Sequence, residues 1–188
     1  MEMRVLEFFS GTGSVGNVCR RLGCEVMSLD RDMPADLHMD ILDWDYRSLP
    51  PHSFDFIWAS PPCTEYSVAK TVGVRKIEEA NNIAQRTLEI INYFDPPYWI
   101  MENPQTGLLK NQPSIANLPY DDLDYCKYGI PYRKRTRLWN IIAAWSPKPL
   151  CKKDCGHVRG NRREQSAQQV PRRHLASVRQ RFGATDLH

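Results

Sequence analysis

Two short segments, Pro61-Pro62-Cys63 and Glu102-Asn103-Pro104, carry the residues of this chain whose types and spacing are best suited to chemistry. Each follows a short apolar run, residues 54–59 or 98–101, that is typical of a buried parallel strand. Because ligands bind at the carboxyl ends of strands in open α/β sheets, we expect a thiol and a carboxyl group at one edge of a sheet. A nucleophilic cysteine beside a proton-donating carboxyl group can activate a pyrimidine ring for attack at carbon 5.

The sequence around Cys63 and Glu102 favours a catalytic role for these two residues over a purely structural one. Two consecutive prolines fix the backbone before Cys63, so the thiol is held in place. The basic residues of a later hairpin and a helix N-terminus could lower the pKa of this thiol. Glu102 follows an apolar run, where burying a charged carboxyl group without a partner costs free energy. A carboxyl group that is neutral for this reason can protonate a ring nitrogen. The alternatives are an ordinary buried cysteine and a structural ion pair.

A glycine-rich turn, Phe9-Ser10-Gly11-Thr12-Gly13-Ser14, follows the first apolar run and suits a nucleotide-like cofactor. Its glycines let the backbone approach a ligand closely, with amide N–H groups at the start of the next helix. Asp30 ends the second strand, where a carboxylate commonly accepts hydrogen bonds from ribose hydroxyls. Asp40 lies where it could accept from an adenine amino group. The alternatives are a capping or surface role for Asp30 and a turn role for Asp40.

The elements that must position these motifs alternate between strand and helix. This alternation predicts an α/β fold, a doubly wound parallel sheet with a terminal antiparallel hairpin. The predicted strands are residues 4–9, 24–29, 54–59 and 98–101, a short strand or turn at 39–42, and a hairpin of 123–128 with 136–143. The predicted helices are residues 14–22, capped by Ser14, and 76–94, with an irregular loop at 64–75. We expect a catalytic domain at 1–146 and a short basic extension at 147–188, in which 171–182 could form a helix.

Composition narrows the class of protein. A length of 188 residues predicts one domain, no apolar run is long enough for a membrane span, and no secretion signal precedes the first strand. The six cysteines are therefore expected to be reduced thiols of an intracellular protein. Residues 127–181 carry fifteen Lys and Arg against two Asp and Glu, whereas residues 1–126 carry ten against nineteen. This basic third predicts a phosphate-rich partner, the alternative being a solvated basic face.

In these motifs and their order the chain resembles the DNA cytosine-5 methyltransferase family, and in particular its small phage- and virus-type members. The resemblance runs from residue 5 to about residue 143. The matching stretches are Phe9-Ser10-Gly11-Thr12-Gly13-Ser14, Asp30, Asp40-Ile41, Ser60-Pro61-Pro62-Cys63, Glu102-Asn103-Pro104, Tyr128-Gly129-Ile130-Pro131 and Arg135-Thr136-Arg137-Leu138-Trp139. The resemblance implies a class I, Rossmann-like fold that uses S-adenosylmethionine and releases S-adenosylhomocysteine.

The resemblance also implies roles for individual residues. Cys63 would attack carbon 6 of a flipped-out cytosine, and Glu102 would protonate or hydrogen-bond N3. Arg135 or Arg137 would bind the base oxygen and a phosphate. The cofactor would be bound by Phe9, Ser10, Gly11, Thr12, Gly13, Ser14, Asp30, Arg31, Asp40, Ile41, Ser60 and Pro61. Nucleic acid would be contacted by Tyr66, Ser67, Asn103, Arg133, Lys134, Arg162 and Arg163, with Asn103 also holding the loop that carries the cysteine.

The chain departs from the family pattern in ways that bear on its substrate. The basic segment before Arg137 is one residue longer and lacks a glutamine, and no separate target-recognition domain of the usual size follows it. DNA is the expected substrate, with low sequence specificity or with specificity supplied by a protein partner. The alternatives are methylation of cytosine in tRNA or another RNA, as in one branch of the family, and a non-catalytic subunit that keeps the fold and binds nucleic acid.

The remaining cysteines and loop aromatic residues allow further interpretations. Cys151, Cys155 and His157 form a Cys-x3-Cys-x-His pattern that could hold zinc. A structural zinc takes four ligands, and the fourth could be His174 or another residue. The alternative is a turn with reduced thiols. Zinc is therefore not expected. Cys126 is predicted to pack on the hairpin. Tyr66 and Tyr132 lie in predicted loops and are candidates for stacking on bases.

Overall fold

The computed structural model describes residues 2–140 and 145–155, and within them seven strands form one sheet. The sheet has the order β3-β2-β1-β4-β5-β7-β6, and β7 runs antiparallel to both of its neighbours. The strands are β1 (Arg4–Phe8), β2 (Glu25–Asp30), β3 (Leu37–His38), β4 (Phe56–Ala59), β5 (Tyr98–Pro104), β6 (Tyr120–Asp124) and β7 (Arg135–Asn140). The predicted α/β sheet with a terminal hairpin is confirmed.

The sheet separates two apolar clusters, each covered by one helix. Helix α1 (Ser14–Arg21) joins β1 to β2, and helix α2 (Ile77–Phe94) joins β4 to β5. Because successive side chains of a strand point to opposite faces, Leu6 of β1 packs with the cluster that includes α2, whereas Val5 packs with α1. The same alternation places Ile100 and Leu138 on the α1 face and Met101 and Trp139 on the α2 face.

Several element boundaries differ from the predictions. β5 continues to Pro104 because it pairs with β7 as far as Thr136, so Glu102 and Asn103 lie inside a strand and not after it. The hairpin strand β6 ends at Asp124, and a 3₁₀ helix follows at Tyr125–Tyr128. Helix α1 has Gly13 as its N-cap residue, so Ser14 is the first residue of the helix and not its cap. The third strand precedes the predicted 39–42 segment.

Some predicted features cannot be compared with the structure. The basic helix predicted at 171–182 and the end of the hairpin at 141–143 lie outside the described residues.

The loop at 64–75 contains turns and no helix or strand, as predicted. No helix in the described ranges is long and apolar enough to cross a membrane.

Candidate active site

The glycine turn and Glu102 open into the same cleft, on the α1 face of the sheet. The cleft has a volume of about 250 Å³ and lies at the carboxyl ends of β1, β4 and β5. Its lining is Glu7, Phe9, Ser10, Gly11, Thr12, Ser14, Val15, Met33, Trp58, Ser60, Glu102 and Tyr125. The cofactor motif and the expected catalytic carboxyl group, 91 residues apart when counted from Gly11, are thus neighbours in space.

Glu102 is buried, with 4% of its side chain exposed, and two groups from the hairpin reach its Oε1 atom. Lys134 Nζ lies 3.3 Å from this oxygen, and the Tyr125 hydroxyl donates to it at 3.5 Å. Lys134 also lies over the Tyr125 ring, 5.1 Å from its centre. Burial and the nearby carboxylate raise the pKa of Tyr125 well above its usual range, so this phenol stays a hydrogen-bond donor.

Cys63 is half-buried at the end of the Ser60-Pro61-Pro62-Cys63 segment, which leaves β4 toward β5. The buried Asn103 side chain donates from Nδ2 to the carbonyl oxygen of Pro61 at 2.9 Å. The carbonyl oxygen of Cys63 accepts the N–H of Tyr66 at 3.1 Å, which closes a turn. The backbone around Cys63 is therefore held at two points. Asn103 fixes Pro61, two residues before the cysteine, and the turn to Tyr66 fixes the carbonyl group of Cys63 itself.

The thiol of Cys63 is less acidic than the sequence suggested. Burial raises its pKa, and the negative charge of Glu102 raises it further, while the positive charge of Lys134 acts in the opposite direction. The expected lowering of this pKa is wrong in sign, because the basic hairpin places only Lys134 close enough to oppose burial and the carboxylate. Cys63, Glu102 and Lys134 nevertheless form one interacting group.

The start of α1 is occupied by Glu7, a residue that sequence reasoning missed. Glu7 Oε1 accepts the N–H of Val15 at 3.2 Å, and Oε2 accepts the N–H of Gly16 at 3.0 Å. Burial raises the pKa of Glu7 to about 7, although these two N–H donors oppose the shift. The amide groups that were expected to face a ligand at this helix start are thus already paired with a carboxyl group of the protein.

The turn before α1 has the backbone that its glycines allow. Gly11 and Gly13 have φ angles of 54° and 70°, in the left-handed region that glycine adopts without strain. Asp30 is buried beside this turn and accepts three backbone N–H groups, from Gly11, Asp32 and Met33, each at 2.8 Å. The carboxylate of Asp30 is thereby fixed at the end of β2, and its ribose-binding role stays a prediction.

Of the other expected cofactor residues, some line the cleft and others do not. Ser60 lines the cleft and its hydroxyl accepts the indole N–H of Trp58 at 2.9 Å. Arg31 and Asp40 form an ion pair of 3.3 Å, and the Ile41 side chain is buried in the cluster under α2. The lining of the cleft does not include Gly13, Asp30, Arg31, Asp40, Ile41 or Pro61. The cofactor roles of all the expected residues stay predictions.

The two arginines expected at the catalytic centre, Arg135 and Arg137, point away from Glu102. In the β5–β7 register Leu138 lies opposite Glu102, so Arg137, opposite Asn103, belongs to the other face. Arg137 forms a two-bond ion pair with Asp122, at 2.8 and 2.9 Å. Arg135 pairs in the same way with Asp124, at 3.1 and 2.7 Å. Among the described residues, the cation that pairs with Glu102 is Lys134, which had been assigned to nucleic acid.

The residues expected to contact nucleic acid differ in their exposure. Tyr66 is fully buried and donates to Asn81 at 2.9 Å, so its prediction as a base-stacking residue is wrong. Asn103 is buried too, which leaves it the loop-holding role. Ser67 accepts the N–H of Ala69 at 3.2 Å, and the exposed Arg133 lies 3.5 Å from Asp124. Arg162, Arg163 and His157 lie outside the described residues.

The strand order with β7 reversed, the glycine turn after β1 and the cleft at the carboxyl edge define a class I methyltransferase domain. A profile of C-5 cytosine-specific DNA methylases matches residues 31–146. A protein of Frog virus 3 (isolate Goorha), named "Probable DNA (cytosine-5)-methyltransferase", is 37% identical over 175 residues, 85% of this chain and 80% of its own length. The chain belongs to the C-5 cytosine-specific DNA methylase family.

Solved structures share the fold at low sequence identity. An E. coli prophage protein described as a "putative DNA modification methyltransferase" is 17% identical over 80% of this chain, with a TM-score of 0.59. The Entamoeba histolytica methyltransferase EhMeth is 16% identical over 80% of the chain, with a TM-score of 0.56, and S. pombe Dnmt2 is 18% identical over 77%, with 0.51. The chain spans 52–56% of the length of these three proteins.

Proposed function

We propose that this chain transfers a methyl group from S-adenosylmethionine to carbon 5 of cytosine in DNA, through a covalent bond between Cys63 and carbon 6. One observation carries the proposal: Glu102, beside Cys63 and Lys134, opens into the cleft that the glycine turn lines. The expected proton donor and the cofactor motif therefore face one cleft, and the charges of Glu102 and Lys134 act on the expected nucleophile, Cys63.

The donor set around the glycine turn fits a cofactor without phosphate groups. The first amides of α1 are paired with Glu7, so this helix start does not offer the anion site that a dinucleotide pyrophosphate needs. A carboxyl group in the lining instead suits the positive charges of a sulfonium and an amino group. Asp30 would hold the ribose hydroxyls, and the turn from Phe9 to Ser14 would hold the amino-acid end.

In the proposed mechanism, Cys63 acts first. Its thiolate adds to carbon 6, the 5,6 double bond opens, and the electron pair shifts into the ring toward N3 and the base oxygen. Glu102, which pairs with Lys134 as a carboxylate in the free site, would act at N3 in its protonated form and so stabilise this charge. Carbon 5 then takes the methyl group that S-adenosylmethionine supplies when bound. Loss of the carbon 5 proton to a base restores the double bond and expels the Cys63 thiolate.

The neighbours of Glu102 have supporting roles in this proposal. Lys134 would stabilise the Cys63 thiolate, since its charge opposes the effects of burial and of Glu102. Tyr125, which remains a phenol, would orient the Glu102 carboxyl group. Asn103 would hold Cys63 at its attack position through the Pro61 carbonyl oxygen. These residues position the reacting groups without forming bonds to the substrate.

DNA is favoured over RNA by the family to which the chain belongs. The basic residues 127–181 would supply affinity for phosphates, and a protein partner could add sequence specificity. The decisive experiment is transfer of tritiated methyl from S-adenosylmethionine to unmethylated genomic DNA and, in parallel, to tRNA, with Cys63→Ala as control. The proposal predicts label in DNA that Cys63→Ala abolishes. Label confined to tRNA would move the substrate to RNA, and cofactor binding without label in either would favour a non-catalytic subunit.

A further inference from the structure

Three cysteines outside the catalytic cleft meet at one point of the fold. Cys126 lies in the 3₁₀ helix Tyr125–Tyr128, and Cys151 and Cys155 lie in the segment 145–155. Their Sγ atoms are all within 4.8 Å of one another, and none of the three forms a disulfide. In a tetrahedral zinc site with Zn–S bonds near 2.3 Å, sulfur atoms are about 3.8 Å apart. The three thiols therefore need to close by about 1 Å or less to share one ion.

Hydrogen bonds already hold the two segments in this arrangement. The N–H of Cys151 donates to Asp124 Oδ2 at 2.8 Å, and Lys127 Nζ lies 2.9 Å from Asp154 Oδ1. Lys148 Nζ donates to the carbonyl oxygen of Lys127 at 3.0 Å. The N–H of Lys153 points at Cys151 Sγ at 3.3 Å, a donor of the kind that supports a metal-bound thiolate.

We propose that Cys126, Cys151 and Cys155 bind one zinc ion that fastens the 145–155 segment to the catalytic edge of the sheet. Three soft sulfur ligands select zinc or Cu(I) over hard cations, and an odd number of converging thiols is not satisfied by disulfides. The sequence pattern had suggested Cys151 and Cys155 with His157, and the structure adds Cys126, 25 residues before Cys151. These three cysteines are the ligands that the described residues supply.

The proposed ion would act on the active site through the 3₁₀ helix. Cys126 directly follows Tyr125, whose hydroxyl reaches Glu102, and Asp124 binds both Arg135 and the N–H of Cys151. A metal bond at Cys126 would limit the freedom of Tyr125. The ion has a structural role here and takes no part in methyl transfer.

The test measures bound metal first. Full-length protein purified from zinc-supplemented cells should contain one zinc per chain by elemental mass spectrometry, and Cys126→Ser, Cys151→Ser or Cys155→Ser should each lower this at least tenfold. The matched control is Cys24→Ser, a thiol outside the cluster, which should keep the full content. Absence of zinc, Cu(I) in its place, or zinc retained by Cys126→Ser would overturn the proposal.

A second measurement avoids any variant that fails to fold. The wild-type chain, stripped of metal by a chelator, is alkylated with and without added zinc, and each thiol is followed by mass spectrometry. Zinc should slow alkylation of Cys126, Cys151 and Cys155 at least tenfold and leave that of Cys24 unchanged. Equal alkylation of the three thiols under both conditions contradicts the site, whatever the outcome of the methyl-transfer assay.

Discussion

Lys134 Nζ lies 3.3 Å from Glu102 Oε1, and this ion pair joins the hairpin to the strand that carries the expected proton donor. The pair is largely buried, with 22% of the Lys134 side chain and 4% of the Glu102 side chain exposed. Both charges also act on Cys63, in opposite directions. The pKa of Cys63 therefore depends in part on Lys134, a residue that the sequence analysis assigned to nucleic-acid binding.

Replacing Lys134 should make Cys63 a poorer nucleophile. In Lys134→Met the charge that opposes the raised pKa of Cys63 is lost, so this pKa should rise further. We expect methyl transfer at pH 7.5 to fall by about tenfold or more, with part of the loss recovered at higher pH and by Lys134→Arg. Single-turnover rates across pH provide the measurement, and an equal loss at every pH would rule out this role.

The pH dependence of the wild-type enzyme follows from the same thiol. The pKa of Cys63 is raised by burial and by Glu102, so the thiolate is a minor species at neutral pH. The single-turnover rate should increase with pH between about 7 and 9, by up to tenfold per pH unit while the thiol remains mostly protonated. Alkylation of Cys63 by iodoacetamide should follow the same curve. A rate that is flat from pH 6 to 9 would contradict the assignment.

Asn103 is predicted to control the position of Cys63. Asn103→Ala removes the 2.9 Å hydrogen bond to the Pro61 carbonyl oxygen and leaves that segment free to shift. We expect kcat to fall by about 100-fold with little change in cofactor affinity, because misplacement affects the attack step. The free energy of unfolding should drop by about 1–2 kcal/mol. Asn92→Ala, at an exposed position on α2, is the matched control and should leave both quantities unchanged.

The buried carboxyl group of Glu7 should make the stability of the fold depend on pH. Its pKa is raised by burial from 4.5 to about 7, so the folded state favours the protonated form. This contribution is complete below about pH 4.5 and is lost as pH rises through about 7. It amounts to at most about 3 kcal/mol. Denaturant unfolding of wild type and Glu7→Gln at several pH values should show a loss between pH 4.5 and 7 that only the wild type has.

The control for Glu7 is Glu78→Gln, an exposed carboxyl group in the first turn of α2. That variant should retain the wild-type dependence on pH, because Glu7 is intact. A Glu7→Gln protein that still loses stability over this range would assign the effect to another group.

The sequence predicted well what depends on local pattern, and less well what depends on register. The apolar runs, the glycine turn and Pro61-Pro62-Cys63 lie in consecutive stretches, so the sheet and both helices were predictable from the sequence. Lys134 meets Glu102 only because β7 pairs with β5 in one particular register, which composition does not reveal. The same register turns Arg137 to the opposite face.

Burial was the second feature that local pattern did not show. Tyr66 lies in a segment without helix or strand and read as an exposed aromatic residue, yet its side chain is enclosed and bonded to Asn81 of α2. Glu7 was read as part of an apolar strand, although its alternation places it on the α1 face, where it caps the helix. An acidic residue on that face of β1, just before a glycine turn, was the available clue.

Covalent trapping tests the central claim most directly. DNA in which 5-fluorocytosine replaces cytosine should form a denaturation-resistant complex with the wild-type chain only when S-adenosylmethionine is present, because fluorine at carbon 5 cannot leave as a proton. Peptide mapping should place the adduct on Cys63, and Cys63→Ser should form none. A complex that persists in Cys63→Ser, or methyl transfer to ordinary DNA without any trapped complex, would contradict the mechanism.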